Sequence, residues 1–569
     1  MKYISRFFYI SLSIFCFLFL NLPDFCSAQS PDKKIFTRQD TLRGSITPER
    51  AWWNVVSYNI SIDPDYKTKT IKGWNQISFD ITRDSKNRKM QIDLQQPMLI
   101  DSIIFNNKKI KTYNRNGNVY LIDFDKFNFI VDRSLVKKDK PATLYTIKIY
   151  FHGNPREAIN PPWDGGWIFT KDNKGRPWMT VACQGLGASV WYPCKDHQSD
   201  EPDSGATLTM TVPDSLVAVG NGRLTNKKNN DNGTTSWTWT VKNPINNYNI
   251  IPYIGKYVNF TDTLDGEKGT LDCSYWVLDY NLDKAKKQFD RDVKRMLRCF
   301  EYWFGPYPFY EDSYKLVESS HLGMEHQSAT AYGNHYKNGY LGMDLSGSGW
   351  GKKWDYIIIH ESGHEWFGNN ITTNDIADMW VHEGIADYSE TLFVEYYYGK
   401  TAGDEYTQGL RRNISNDKPI TGPYGVNQEG SGDMYNKGNN LMHTIRQVIN
   451  DDSLFRQILR GLNKEFYHKT VDSKDVEAYM TKQSGKDLSK IFDQYLRTTK
   501  IPVLEYKIDG NRNFSYRWTN CVEGFSMPLR SADLKFWIYP TTTFRETPLS
   551  LNQEVKFDKN FYFTVKKIQ

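Results

Sequence analysis

The chain has 569 residues, of which 39% are hydrophobic, 24% are charged and 15% are aromatic. Its formal net charge of +6 is small for this length and gives no case for a nucleic-acid partner. Beyond residue 28 no stretch approaches eighteen consecutive apolar residues, so the sequence predicts no stable membrane span in the mature chain. The length allows three or more domains.

Residues 1–28 have the pattern of a signal peptide. A basic start with Lys2 and Arg6 precedes a long apolar run, and small residues suited to cleavage stand before Gln29. We therefore expect an exported protein, periplasmic or secreted. The alternative is an uncleaved membrane anchor, because the apolar run is near the lower length limit for spanning. Residues 29–45 are polar without periodicity, which predicts a flexible lead-in.

Five cysteines remain after the predicted cleavage site, so at least one thiol is free. Export permits disulfides, and Cys183 and Cys194 are the nearest pair, but the spacing does not decide whether they are joined.

Residues 46–250 are predicted to form an all-β domain. Segments such as WWNVVSYNISIDPDY and ATLTMTVPDSLVAV alternate apolar and polar residues, and turn residues separate them. This alternation is typical of many short antiparallel strands with one buried face.

Residues 251–500 are predicted to be mostly helical, and they contain the sequence HESGH. Its histidines, His360 and His364, lie one helical turn apart on one face, so both can reach one zinc ion. Glu361 points toward the open side of such an ion, where it can take a proton from water. Apolar residues flank the motif on both sides, which predicts a buried helix whose polar side chains need partners.

A carboxylate is the usual third ligand beside two histidines in a hydrolytic zinc site. Glu383 stands nineteen residues after His364, in a segment with helical periodicity. Asp387 and Glu390 follow one and two turns later, and either can accept the spare N–H of a ligating histidine. The alternative for both is an ordinary carboxylate on a helix surface.

Residues 501–569 return to strand patterns, in segments such as ADLKFWIYPT and NFYFTVKKI. The sequence therefore predicts a multidomain α+β chain with β domains at both ends.

Several motifs together resemble the aminopeptidase N family of gluzincin zinc aminopeptidases. HExxH is followed by eighteen residues and then Glu383, which is the gluzincin pattern. GMEH at 323–326 is similar to the GAMEN exopeptidase motif of the family, and Tyr435 opens a segment that resembles its YxKG. WYPCKDHQSDEP at 191–202 is similar to the landmark near the end of its N-terminal domain. The resemblance covers roughly residues 52–504.

The resemblance implies a fold for each predicted part. These are an N-terminal β-saddle domain over 46–250, a thermolysin-like α/β zinc catalytic domain over 251–500 and a small C-terminal β-sandwich over 501–569. It also implies one Zn²⁺ per chain, held by His360, His364 and Glu383.

The resemblance also implies roles for further residues. Glu361 is the expected general base toward zinc-activated water, and Tyr435 is expected to stabilise the oxyanion. Glu325 would pair with the free α-ammonium group of a peptide and so restrict cleavage to the first bond. The expected substrate-binding residues are Gln184, Gly323, Met324 and Glu325.

Four positions depart from the family pattern, and one of them is Leu322, where glycine is common. Ala182 stands where the family often has a second polar residue before Gln184, and His382 replaces a common asparagine beside Glu383. His326 stands where the family has a substrate-binding asparagine. We expect His326 to bind substrate differently, or to be protonated at mildly acidic pH.

These features predict an exported zinc aminopeptidase whose partners are peptides with a free N-terminus. One alternative is a thermolysin-like zinc endopeptidase, against which Glu325 argues. A second alternative is a non-catalytic binding protein that has kept the fold, against which Glu361 and Tyr435 argue. Epoxide hydrolysis, known from one branch of the family, has no positive signal in the sequence. The preferred N-terminal residue, the natural substrates and the oligomeric state do not follow from the sequence.

Overall fold

The computed structural model describes residues 35–82, 88–124, 127, 129, 143–533, 536–549 and 555–569. The predicted signal peptide and the start of the predicted lead-in lie outside these ranges. Within them, no helix is both long enough and apolar enough to cross a bilayer. All five cysteines beyond residue 28 carry free thiols, so Cys183 and Cys194 are not joined.

Arg38–Gly44 forms a short helix, α1, within the segment predicted as a flexible lead-in. Gln91 Nε2 donates a hydrogen bond to the Leu42 carbonyl, and Arg50 Nη1 donates one to the Arg43 carbonyl. The structure differs from the prediction here because residues distant in sequence hold this segment, and local periodicity does not show such partners.

The N-terminal part is built of β-strands. In the described residues they are β1 Trp53–Asp65, β2 Thr70–Ile81, β3 Lys89–Asp93, β4 Leu99–Phe105, β5 Lys108–Ile110, β6 Tyr113–Asn116, β7 Val119–Asp123, β8 Tyr145–Gly153, β9 Gly166–Lys171, β10 Pro177–Ala182, β11 Ala206–Pro213, β12 Val217–Val219, β13 Arg223–Asn229, β14 Thr234–Val241 and β15 Tyr253–Gly255.

The largest sheet of this part has the strand order β13-β14-β11-β1-β2-β8-β4-β5. Its neighbours pair antiparallel, as predicted, except that β1 and β11 are parallel. Tyr58, Ile60 and Ile62 of β1 are buried on one face, which is the alternation read from the sequence. Two smaller sheets, β12-β15-β10-β9 and β3-β7-β6, complete this β-rich part.

The central part combines a sheet with helices. Its elements are β16 Tyr257–Gly266, β17 Gly269–Leu278, α2 Leu282–Phe304, β18 Tyr314–Glu318, β19 Gly323–Met324, β20 Thr330–Tyr332, α3 Tyr356–Gly363, β21 Ile371–Thr373, α4 Trp380–Tyr398, α5 Lys400–Leu410, α6 Asn436–Ile449, α7 Asp452–Glu465, β22 Lys469–Val471, α8 Ser473–Ser484 and α9 Ser489–Arg497.

This part begins with a hairpin, β16 and β17, where the sequence predicted mostly helix. The two strands form one edge of a five-stranded sheet of order β16-β17-β18-β20-β19. Because β19 carries the GMEH motif, the sheet brings that motif beside the helix α3.

The C-terminal part contains the strands β23 Val503–Ile508, β24 Asn513–Thr519, β25 Leu529–Arg530, β26 Trp537–Ile538, β27 Arg545–Pro548 and β28 Thr564–Lys567. Its larger sheet has the order β27-β24-β23-β28. Leu504, Phe514 and Trp518 belong to the same buried hydrophobic cluster as Leu441 and Ile445 of α6. The helical part and the C-terminal strands therefore share one core.

Candidate active site

The helix α3 presents the HESGH residues. Asp355 caps its start, because the carboxylate accepts hydrogen bonds from the backbone N–H groups of Ile357 and Ile358. The regular α-helix ends at Gly363, and one wider turn continues to Asn369. The rings of His360 and His364 lie 5.1 Å apart, so the expected spacing of one turn is kept.

Glu383 of α4 meets the two histidines. Its Oε2 atom lies 3.7 Å from His360 Nε2 and 3.3 Å from His364 Nε2. One ligand atom from each residue falls within 4.8 Å of the others, and all three residues are buried. The predicted zinc ligands are therefore brought together.

The nitrogen of each imidazole that does not face Glu383 is Nδ1. Its hydrogen-bond partner determines which nitrogen carries the proton, and so whether the other nitrogen can bind a metal. His360 Nδ1 lies 2.7 Å from Glu390 Oε1, and His364 Nδ1 lies 3.1 Å from the Phe367 carbonyl. Both partners are acceptors, so each Nδ1 carries the proton and each Nε2 turns a lone pair toward Glu383.

Glu383 Oε2 is itself buried with no hydrogen-bond donor in the described part of the chain. His360 Nε2, His364 Nε2 and Glu383 Oε2 are all electron-rich and face one another, so they repel unless a cation lies between them. These donors are the set that zinc prefers, so the residues fit a zinc ion.

Of the two acids predicted to support the histidines, Glu390 makes the contact. Its Oε1 atom holds His360, and its Oε2 atom accepts a hydrogen bond of 2.6 Å from the Tyr406 hydroxyl. Asp387 is buried too, and its Oδ2 atom has no hydrogen-bond partner among the described residues. Glu390 is therefore the carboxylate that orients His360.

Glu361 lies against the GMEH strand. A Cβ atom added to Gly323 would be 2.6 Å from Glu361 Oε1, so only glycine at 323 lets the carboxylate lie there. Burial raises the pKa of Glu361 to about 7. Glu361 therefore lies in the same cavity as the predicted zinc ligands, where a carboxylate can act as a general base.

Glu325 is held by residues from the N-terminal β-rich part. Gln184 Nε2 donates to Glu325 Oε1 at 2.6 Å, and the Tyr248 hydroxyl donates to the same oxygen at 2.8 Å. Asn369 Nδ2 donates to the Glu325 carbonyl at 2.8 Å. Both side-chain donors bind Oε1, and no described side chain donates to Oε2, so that oxygen can accept a hydrogen bond from a ligand. Burial raises the pKa of Glu325.

Tyr248 and Asn369 were not predicted as parts of this site. Tyr248 lies 77 residues before Glu325, in a short 3₁₀ turn, and no motif or spacing connects the two. Asn369 lies in the wider turn that follows α3, and no motif connects it with Glu325.

Tyr435 directly precedes α6, and its ring lies 6.0 Å from that of His360. Burial raises its pKa well above 10, and the charge of Glu383 adds to the rise, so the hydroxyl keeps its proton. A close helix contact places it: a Cβ atom on Gly438 would lie 2.7 Å from the Gly384 Cα atom. Because Gly384 and Gly438 have no side chains, α6 packs directly against α4 where the two helices cross. This contact fixes the position of Tyr435, which directly precedes α6.

The expectation for His326 is wrong. Its side chain is fully buried, with Nδ1 2.5 Å from the Tyr253 hydroxyl, and it does not line the cavity beside the zinc ligands. Burial lowers the pKa of His326 well below 6.5, so the ring stays neutral at mildly acidic pH. His382 is also structural, because its Nε2 atom accepts a hydrogen bond from the Thr373 backbone.

One cavity of about 540 Å³ joins all the predicted site residues. Its lining contains Gln184, Gly323, Met324, Glu325, His360, Glu361, His364, Glu383 and Tyr435. It also contains residues that the sequence analysis did not single out, among them Trp163, Met434 and Glu429. Two histidines and a glutamate with a glutamate base in one cavity define a zinc metallopeptidase type of site.

Comparison with known families agrees with this class. The model described as "Peptidase family M1 domain" matches residues 288–495, and "Peptidase M1 N-terminal domain" matches residues 54–248. The chain belongs to peptidase family M1, the aminopeptidase N family.

Curated relatives are distant. Aminopeptidase N of Lactococcus lactis subsp. lactis is 22% identical over 481 residues, which are 79% of this chain and 52% of the relative. Aminopeptidase M1 of Arabidopsis thaliana is 24% identical over 476 residues, covering 80% of this chain and 51% of the relative. The chain thus spans about half the length of the curated relatives it matches.

Solved structures show the same fold. The M1 zinc metallopeptidase from Deinococcus radiodurans aligns with a TM-score of 0.66 at 19% identity, covering 82% of this chain and 99% of that one. A mutant of that enzyme bound to a Tyr-Ser-Ala substrate aligns with a TM-score of 0.65 at 19% identity, covering 80% and 96% of the two chains.

Proposed function

We propose that this chain is a zinc-dependent aminopeptidase that removes N-terminal residues from peptides. The observation that carries the proposal is Glu325, a buried carboxylate in the same cavity as the zinc-ligand cluster, whose two side-chain donors both bind one of its oxygens. A buried carboxylate pairs strongly with an ammonium group, so it fixes the start of a peptide beside the metal site.

The zinc ion would polarise the scissile carbonyl and lower the pKa of the attacking water. Glu361 accepts the proton of that water and delivers it to the leaving amine. Tyr435, whose raised pKa keeps its hydroxyl protonated, donates a hydrogen bond to the developing oxyanion. Gln184 and Tyr248 hold Glu325 in position for the α-ammonium group.

The relatives support this assignment through their names, which describe aminopeptidases, and one solved relative was captured with the peptide Tyr-Ser-Ala. We also infer that the three parts correspond to the saddle, thermolysin-like and β-sandwich domains of the family, with boundaries near residues 250 and 500.

We further propose that the protein acts outside the cytoplasm, periplasmic or secreted. The support is the basic start, apolar run and small residues of 1–28. Sequencing the N-terminus of the native protein tests this: export with cleavage gives Gln29 as the first residue. Met1 as the first residue of a membrane-bound form would support the uncleaved anchor instead.

The decisive experiment compares a peptide with a free N-terminus and its N-acetylated form. We expect the wild-type protein to cleave the free peptide at its first bond and to leave the acetylated one intact. Glu325→Ala should lower kcat/KM on the free peptide by about 10²-fold, because a charge-assisted hydrogen bond to the ammonium is lost.

Glu361→Gln serves as the inactive control, with zinc content measured to show that the ligands remain. Equal cleavage of the free and acetylated peptides would favour the thermolysin-like endopeptidase. Tight zinc binding without any hydrolysis would favour a non-catalytic binding protein.

A further inference from the structure

A second cavity opens on the central part of the molecule, apart from the catalytic one. Its volume is about 570 Å³, which is in the range of small-molecule binding sites. None of the residues that line it lines the catalytic cavity, so the proposed hydrolysis does not use it. Six of its lining residues decide what it can bind, and these are Phe304, Pro306, Tyr467, Lys268, Arg460 and Lys464.

The surface of this cavity is mainly apolar. Phe304 is the last residue of α2, and Pro306 follows two residues later. Tyr467 follows the end of α7, and its hydroxyl donates a hydrogen bond of 2.8 Å to the Pro308 carbonyl. Its ring also stacks on His468, with the ring centres 3.8 Å apart. Because both contacts hold Tyr467 in place, the cavity offers a fixed apolar wall to a ligand.

Two ammonium groups at this cavity have no carboxylate partner. Lys268 Nζ lies 3.4 Å from the Tyr467 hydroxyl oxygen and 4.8 Å from the centre of the Tyr467 ring. Lys464 is in the last turn of α7. In the described ranges neither lysine forms an ion pair, and no acidic side chain is among the residues that line the cavity.

Arg460 also lines the cavity, but its guanidinium group is already paired. Nη1 lies 3.0 Å from Glu267 Oε1, and Nη2 lies 2.7 Å from Glu267 Oε2. A phosphate group is bound best by a free arginine fork, so this pairing disfavours phosphate. The positive charge that remains for a ligand is that of Lys268 and Lys464.

Charge and surface together select one kind of molecule. An apolar body covers the walls around Phe304, Pro306 and Tyr467 and removes them from water. A carboxylate on that body pairs with the ammonium groups of Lys268 and Lys464. A neutral apolar molecule makes only the first contact, and a small inorganic anion makes only the second.

We propose that this cavity binds a small organic carboxylate with an apolar body, through Lys268, Lys464 and the ring of Tyr467. The site is separate from the proposed aminopeptidase site. Binding therefore requires no hydrolysis, and the two proposals stand or fall independently.

Isothermal titration calorimetry of the zinc-loaded protein with naphthalene-2-carboxylate tests the proposal. We expect a Kd of about 10⁻⁴ M, which is ordinary for a ligand of this size. Naphthalene-2-carboxamide keeps the shape without the charge and should bind about tenfold more weakly. Inorganic phosphate at the same concentration should not displace the carboxylate.

The double variant Lys268→Gln/Lys464→Gln removes both charges. It should lower the affinity for naphthalene-2-carboxylate about tenfold and leave the affinity for the carboxamide unchanged. Both side chains are exposed, so the variant should fold as the wild-type protein does. Lys482→Gln/Lys486→Gln removes the same charge from exposed lysines outside the cavity and should keep the wild-type affinities.

Several outcomes overturn the proposal. The absence of binding up to about 10 mM shows that the cavity takes no such ligand. Equal affinities for the carboxylate and the carboxamide show that the lysines do not bind the charge, and displacement by phosphate shows that the apolar walls contribute nothing. An unchanged carboxylate affinity in Lys268→Gln/Lys464→Gln places the ligand elsewhere. Competitive inhibition of leucyl amide hydrolysis, with an inhibition constant equal to the measured Kd, places it in the catalytic cavity.

Discussion

At the scale of single residues, the hydrogen-bond partners of Nδ1 in His360 and His364 show most clearly that the site is built for a metal. Because Glu390 and the Phe367 carbonyl are both acceptors, the tautomer of His360 and His364 is fixed before any metal arrives. The protein therefore does not need to reorient either ring on binding. This is a form of preorganisation, and among the described residues no group donates a hydrogen bond to Glu383 Oε2.

Tyr435→Phe tests the proposed oxyanion donor. Removing one such hydroxyl should lower kcat by about 10²–10³ with little change in KM, because the hydrogen bond forms in the transition state. Steady-state kinetics on a leucyl amide measures both constants. Tyr539→Phe, at a tyrosine that is 60% exposed, is the matched control and should retain wild-type rates. A loss of less than tenfold for Tyr435→Phe would assign that hydroxyl a structural part only.

At the scale of elements, the contact between α4 and α6 decides where Tyr435 lies. Gly384 and Gly438 face each other so closely that neither accommodates a side chain without a backbone shift. The YxKG segment read from the sequence thus has a packing reason for its glycine. Lys437 beside it is buried, and its Nζ atom donates a hydrogen bond to the Thr498 carbonyl.

Gly438→Ala should therefore harm stability and activity together. The new methyl group would overlap the Gly384 backbone, so we expect a loss of about 1–3 kcal/mol in the free energy of unfolding. The displaced α6 would carry Tyr435 with it and lower kcat. Denaturant titration and kinetics measure the two effects. Gly432→Ala is the control, because no atom lies within 4 Å of the added Cβ; similar losses in both variants would contradict the packing argument.

The secondary-structure elements and the zinc ligands could be predicted where the sequence pattern that indicates them is local. His360, His364 and Glu383 follow from spacing along two helices, and the strands of the N-terminal part follow from alternation. The hairpin of β16 and β17 was missed inside a region with strong helical patterns. Tyr248 and Glu429 could not be found at all, because only the folded chain brings Tyr248 to Glu325 and Glu429 to the cavity.

At the scale of the whole molecule, a buried lysine joins the N-terminal and central parts. Lys315 of β18 is 1% exposed, and its Nζ atom donates to the carbonyls of Gly222 and Ser328. It also lies 5.3 Å from the ring centre of Trp239. Burial lowers the pKa of Lys315 to about 7, and the charge of Asp312 opposes the fall.

This lysine predicts a pH dependence of folding. Between pH 7 and the ordinary lysine pKa near 10.5, the unfolded chain binds a proton that the folded chain releases, so stability rises with pH. The gain approaches about 1.4 kcal/mol per pH unit in the middle of this window, where the folded chain has lost the proton and the unfolded chain still holds it. Lys315→Met should lack this rise, and denaturant titrations of both proteins at pH 7, 8 and 9 measure it. Parallel profiles for the two proteins would contradict the prediction.

The hydrogen bonds from Gln184 and Tyr248 to Glu325 cross the seam, meaning the interface between the N-terminal and central parts. The zinc ligands, in contrast, all lie within the central part. Recognition of a chain end and cleavage of the bond next to it thus depend on different pieces of the molecule. Mild warming or dilute urea that loosens the seam should first make the protein indifferent to a blocked terminus, while hydrolysis continues until the central core melts.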